Sequence, residues 1–185
     1  MWILWWSLAG VAWFAWLYPF IFRAPHRQQR PSITVAGPTR AGILLEVLAI
    51  IAAFAFHMPL ETSPGLIRIV LAAALTAGCA AMGWQAVIHL GRQFRVQAGL
   101  YHDHQLVRTG PYAFVRHPIY TSFLGMVLCT ILLVTRLEWA PLPLILFIAG
   151  TEIRVRTEDA LLASRFGNVF RDYQKSVVAY VPFVR

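Results

Sequence analysis

Charge is scarce in this chain. Asp, Glu, Lys and Arg together make up 13% of its 185 residues, against ~25% in a typical soluble domain. Lysine is nearly absent, so 15 of the 16 basic residues are arginine, and only eight residues are acidic. Cysteine is limited to Cys79 and Cys129. Both sit in apolar stretches and read as small buried hydrophobes, which excludes a disulfide scaffold and argues against a metal pair. The chain has no P-loop, no Gly-x-Gly-x-x-Gly, no Ser-centred nucleophile elbow and no His-Glu-x-x-His, the marks of soluble cofactor and hydrolase sites. Internal repeats and low-complexity tracts are also missing. With 58% hydrophobic residues, these absences exclude disorder and an ordinary soluble enzyme. An integral membrane protein remains. The net charge of +8 does not imply a nucleic-acid partner, because the arginines lie between apolar runs and form no single stripe.

A ~30 Å hydrocarbon core takes ~20 apolar helical residues. Five runs qualify as spans: 2–22, 41–60 (interrupted by Glu46 and His57), 66–90, 119–135 and 140–151. The last is too short to cross alone and is expected to continue as helix through Glu152 and Arg154. The first run lacks a basic n-region and a small-residue cleavage site, so it reads as a retained span and not as a signal peptide. Four basic residues fall in 23–40, four in 91–118 and six in 154–185, whereas only Arg68 and Arg136 fall on the other side. The positive-inside rule then predicts an outside N-terminus, with 91–118 and 154–185 in the cytoplasm. Residues 1–90 form three N-terminal spans, and 91–185 a loop, a helical hairpin and a tail. In the tail, Leu162, Phe166, Val169, Phe170, Tyr173 and Val177 recur at three- and four-residue spacing, predicting an amphipathic helix. It either lies on the membrane or closes over the 91–118 loop.

Two polar constellations stand out. The first is Arg116-His117-Pro118-Ile119-Tyr120, where Pro118 holds His117 out of the αR region at the mouth of a span. Its bland explanation is a helix entry with Arg116 on lipid phosphate and Tyr120 in the aromatic belt. The second runs from Glu152 to Asp159. There Arg154 and Glu158, and Glu152 and Arg156, share helix faces, and ionisable groups leaving a span more often line a functional cavity than decorate a surface. Glu46 has no evident partner in the sequence and would snorkel or stay protonated. His102, His104 and His117 match no zinc spacing, and no metal is expected.

Together these segments resemble the isoprenylcysteine carboxyl methyltransferase family, whose bacterial relatives include phospholipid N-methyltransferase-like proteins. The likeness lies in Leu106-Val107-x-Thr109-Gly110-Pro111-Tyr112, then Arg116-His117-Pro118-x-Tyr120. It continues in Arg154-x-x-x-Glu158-Asp159-x-x-Leu162-x-x-x-Phe166-Gly167, with Tyr173 and Pro182 beyond, and covers about half the chain. The resemblance implies an all-α polytopic membrane enzyme of about five spans, whose cytoplasmic loop and C-terminal amphipathic helix form a pocket for S-adenosylmethionine. Cofactor contacts would fall on Gln97, His104, Gln105, Leu106, Val107, Tyr112, His117, Pro118, Ile119, Tyr120 and Glu158, and acceptor handling on Arg154. The family often has Glu-Glu where this chain has Glu158-Asp159, and Gly where it has Ser122, a change expected to alter helix packing or narrow the pocket.

Methyl transfer from a sulfonium needs alignment and water exclusion more than a nucleophile. An arginine fork suits an acceptor carboxylate or phosphate. The expected partners are membrane lipids and a lipid-like or small hydrophobic acceptor, with a prenylcysteine-type carboxylate as one candidate. Two other readings stand beside this one: a membrane reductase using a nicotinamide cofactor, and a non-catalytic lipid-binding or transport module.

Overall fold

A computed structural model describes residues 2–23, 33–34, 36–100 and 103–180. Among them the chain forms helices α1 (Trp2–Phe22), α2 (Ala36–Ala55), α3 (Leu66–Leu90), α4 (Pro118–Leu133), α5 (Pro141–Phe166) and α6 (Asn168–Ser176). A two-residue antiparallel ladder, not anticipated from the sequence, pairs β1 (Ile33–Thr34) with β2 (Gly99–Leu100). It ties the connection after α1 to the loop after α3. Among the described residues, three stretches are long and apolar enough to cross a membrane: Ile3–Phe22, Gly37–Ala55 and Leu66–Gln93. Their outward faces carry Ile3, Val11 and Phe14 on α1 and Leu66, Ile67 and Val70 on α3, all exposed. An apolar surface of that extent suits lipid.

The central helix is shorter than these three. α4 has 16 residues, uncharged on every side, and a helix apolar all round belongs inside a bundle. It packs against α1, α2, α3 and α5. Two indoles fasten α1 to it: Trp13 Nε1 donates to Thr130 Oγ1 and Trp16 Nε1 to Ser122 Oγ, each at 2.9 Å. The hydroxyl of Ser122 thus takes a hydrogen bond from α1 that a glycine there would lack.

α2 and α5 run antiparallel with their backbones in near contact. A Cβ on Gly150 would lie 2.6 Å from the Gly42 carbonyl oxygen, and one on Gly42 2.7 Å from that of Gly150. Small residues at a crossing permit such an approach, and Ala49 and Ala53 continue it against Phe147. Because carbonyls cannot swing aside as side chains do, Gly150→Ala is expected to destabilise the protein by about 1–3 kcal/mol. A lowered melting midpoint in detergent checks this; an unchanged one would mean that the helices part easily.

α5 continues through Glu152 and Arg154, as expected, and ends at Phe166. The tail departs from a single amphipathic helix. Gly167 adopts φ +55°, a left-handed conformation open to glycine at little cost, so the chain breaks there and α6 starts in a new direction. Periodicity alone cannot reveal such a break, because the apolar spacing persists across it.

The two ends of the bundle differ in chemistry. At one, Arg68 donates to the carbonyls of Ile131, Leu132 and Thr135, satisfying groups that the end of α4 leaves open. At the other lie the described residues of the 91–117 connection, the distal half of α5, α6 and the β ladder.

Candidate functional site

The polar end encloses a cavity of about 510 Å³. The residues that the resemblance assigns to cofactor and acceptor all line it: Gln97, His104, Gln105, Leu106, Val107, Tyr112, His117, Pro118, Ile119, Tyr120, Arg154 and Glu158. His102 and Pro182 lie outside the described residues. The sequence motifs did not indicate the remaining wall. Trp13, Trp16 and Phe20 of α1, Ile43, Glu46 and Ile50 of α2, and Gln93 and Phe94 after α3 complete it.

The Arg116–Tyr120 segment is held from two directions. The chain after α6 runs alongside it, with the Arg116 and His117 amides donating to the carbonyls of Val178 and Ala179 at 2.8 Å. His117 has φ −125° and ψ 64°, outside αR as the following proline requires. Arg116 does not reach for lipid phosphate. It is buried and donates to Asp159 Oδ2 at 3.1 Å, to the Gln174 carbonyl at 3.2 Å and to that of Val177. Nor does Tyr120 join an aromatic belt, since it is buried and its hydroxyl donates to Glu158. The helix-entry explanation fails because the acidic partners on α5 take both side chains inward.

Asp159 is the hub. Besides Arg116 it accepts from His117 Nε2 at 2.9 Å and from Gln174 Nε2 at 3.1 Å. The other ring nitrogen of His117, Nδ1, lies 3.4 Å from Glu158 Oε2. Burial alone would push the His117 pKa down, but hydrogen bonds and charge from Asp159 and Glu158 outweigh it and raise it to about 9 from 6.5. Burial likewise opposes the charge on Asp159, yet His117 and Arg116 hold its carboxyl below the ordinary value. His117 is therefore an imidazolium at neutral pH, with both N–H groups on carboxylates, and is no general base.

The sign of the pH dependence follows. The stabilisation from His117 is complete below its ordinary pKa of 6.5 and is lost as pH rises through about 9. That from Asp159 is present above its ordinary value and is lost as pH falls through the depressed one. As far as His117 sets them, melting midpoints should be highest below pH 6.5, fall between 6.5 and about 9, and level off above that. In His117→Gln this fall should shrink; the same fall in both proteins would place its cause elsewhere.

The acidic run on α5 pairs only in part as its helix faces suggest. Glu152 does bond Arg156, one turn on, at 2.8 Å. Arg154, however, turns away from Glu158 to Glu46 on α2, which also accepts from the Thr151 hydroxyl at 3.1 Å. The second Arg154 amino group donates to the Val96 carbonyl at 2.9 Å, and its guanidinium carbon stands 4.7 Å from the Tyr120 ring centroid. Glu46 therefore neither snorkels nor lacks a partner; it is 2% exposed and ion-paired. The amphipathic tail meets the loop, with Phe170 and Tyr173 lining the cavity and the Tyr173 hydroxyl donating to the Tyr112 carbonyl. No group of three metal-ligating side chains occurs among the described residues.

Known proteins share this arrangement of sequence. A stretch matching the protein-S-isoprenylcysteine O-methyltransferase of Schizosaccharomyces pombe is 33% identical over 101 residues, 54% of this chain and 43% of that protein. The enzyme of the same name from Saccharomyces cerevisiae is 34% identical over 86 residues, 44% of this chain and 34% of its own. The match thus spans less than half of either relative's length. The family pattern itself extends over residues 70–164, just over half of this chain, taking in α4, the Arg116–Tyr120 segment, Arg154 and Glu158. On that match the chain belongs to the isoprenylcysteine carboxyl methyltransferase family.

Proposed function

We propose that the chain is an integral membrane methyltransferase that uses S-adenosylmethionine and acts on a lipid-like or small hydrophobic acceptor, a prenylcysteine-type carboxylate being the first to test. The observation that carries this reading is convergence. Residues from Gln97 to Glu158 that the family resemblance assigns to the cofactor share one cavity, whose far wall is the apolar surface of α1 and α2. Its volume of about 510 Å³ suits a ligand of that size. The donor set fits as well. Glu158 accepts from Tyr120 and retains lone pairs for amine or hydroxyl donors, while the buried Gln93 Oε1 has no hydrogen-bond partner among the described residues.

When bound, the cofactor supplies a methyl group already activated on a sulfonium. The protein's own part is arrangement. Glu158, fixed by Tyr120 and His117, and the 104–107 backbone segment would hold the cofactor at the polar end. α1 and α2 present Trp13, Trp16 and Ile50 to an acceptor's apolar portion. α6 and the segment after it close the site from water, and Arg154 orients the acceptor's polar group. A carboxylate acceptor needs no base, which agrees with a site whose histidine is already protonated. Residues 1–90 thus form the acceptor-facing half, and 91–185 the cofactor-holding half.

Incubation with methyl-labelled cofactor and a prenylated cysteine analogue, or extracted lipid, should yield label in the organic phase. Saturable NADPH binding with no methyl transfer would instead establish the reductase. We further infer five spans, with α4 and the first part of α5 added to the three long apolar helices, and an outside N-terminus. In a chain lacking Cys79 and Cys129, Gln105→Cys should resist an impermeant thiol reagent in intact cells, while Glu61→Cys at the opposite end reacts. The reverse pattern would invert the topology.

A further inference from the structure

Glu46 is an acid in the middle of α2, whose other charged residue, Arg40, lies nearer the start of the helix, and the family pattern, which begins at residue 70, does not reach it. Stability does not explain its presence, because replacing a buried ion pair by apolar residues is often neutral or better. Its geometry is more informative. The Arg154 guanidinium is fixed from three directions: by Glu46 on α2, by the Val96 carbonyl in the loop and by the Tyr120 ring on α4. The Thr151 hydroxyl in turn fixes the Glu46 carboxylate. One turn from each partner, Gly42 and Gly150 bring the two helices into backbone contact, so the pair has no slack along the crossing. Both residues line the cavity, and the one donor of Arg154 that is buried without a partner is Nε–H.

We propose that Glu46 is a positioning residue: acting through Arg154, it fixes the direction in which the guanidinium offers its remaining N–H groups, Nε–H among them, to the acceptor, and it balances the guanidinium charge so that direction, rather than net charge, selects the acceptor group. This rests on the methyltransferase reading above. A salt bridge that merely braced the helices would leave the guanidinium's aim irrelevant to turnover. An aiming role makes turnover sensitive and cofactor binding insensitive, since the cofactor contacts lie on Glu158 and the 104–107 segment.

The test uses the full chain in detergent, S-adenosylhomocysteine for binding, and methyl-labelled S-adenosylmethionine with a prenylated cysteine analogue, or extracted lipid, for turnover. Because misplacement by ~1 Å costs on the order of a hundred-fold in rate, Glu46→Gln should lower kcat by at least about ten-fold. Its S-adenosylhomocysteine affinity should stay within about three-fold, and KM for the acceptor should change less than kcat. Glu46→Asp should recover part of the loss. In an Arg154→Gln background, Glu46→Gln should cost nothing further, the non-additivity expected when one residue acts through another. Unchanged kcat in Glu46→Gln, additive losses, or cofactor affinity falling in step with turnover would each overturn the proposal. A wild-type chain that binds S-adenosylhomocysteine but methylates neither acceptor would overturn it while leaving the cofactor site standing. One that binds no S-adenosylhomocysteine would overturn the methyltransferase reading, and this inference with it.

Discussion

Asp159→Ala is expected to abolish measurable S-adenosylhomocysteine binding and to lower stability by about 3–5 kcal/mol, the usual cost of removing one partner from a buried ion pair. Asp159 accepts from Arg116, His117 and Gln174, side chains carried by the loop before α4 and by α6. Without it two buried cations lose their shared counter-charge. His117, relieved of the hydrogen bond that is the largest single influence raising its pKa, would drift toward neutrality and loosen its contact with Glu158. Asp159→Asn keeps the shape and some of the hydrogen bonds and should fall between the two. Calorimetry and thermal melting on both variants check this. A wild-type affinity in Asp159→Ala would show that the network braces the fold without shaping the site.

Arg154→Ala should have the second-largest effect, and on two separate quantities. Turnover should nearly vanish, because the acceptor's polar group loses its orienting fork, while S-adenosylhomocysteine affinity stays within a few-fold. Stability should fall by about 3–5 kcal/mol, since Glu46 is left as a buried acid without its counter-ion. Adding Glu46→Gln to Arg154→Ala removes that stranded charge, so it should restore most of the stability and none of the turnover. If turnover returned with stability, Arg154 would be a structural brace. If Arg154→Ala lost cofactor affinity as severely as Asp159→Ala, the division between cofactor-holding and acceptor-holding groups would be wrong.

The extent to which the sequence disclosed this site differs from residue to residue, for physical reasons. His117 and Tyr120 were legible because a proline after a histidine constrains the backbone locally, and because the motif around them is contiguous. The continuation of α5 past Glu152 was legible because a 12-residue apolar run cannot cross a bilayer at ~1.5 Å per residue. The Glu46–Arg154 pair was not: its partners are 108 positions apart, and Glu158, four residues from Arg154, offered a nearer and plausible counter-charge. A trace of the pair does exist. Gly42, Ala49 and Ala53 share Glu46's side of α2, and Gly150 and Thr151 precede Arg154 on α5, small residues of the kind that mark a helix crossing. The break at Gly167 was hidden by uninterrupted apolar spacing. The α1 wall escaped because tryptophans in a membrane span read equally well as interfacial anchors. Their hydrogen bonds to Ser122 and Thr130 and their ring contacts with Phe123 place Trp16 and Trp13 against α4.

The claim on which the rest depends is that the cavity under the Arg116–Tyr120 segment holds a sulfonium nucleoside cofactor. Calorimetric titration of the detergent-solubilised wild-type chain with S-adenosylhomocysteine, repeated with NADPH, tests it most directly. The account predicts saturable one-site binding of S-adenosylhomocysteine that His117→Ala weakens, and no saturable heat from NADPH. Absence of S-adenosylhomocysteine binding, or preferential binding of NADPH, would contradict it.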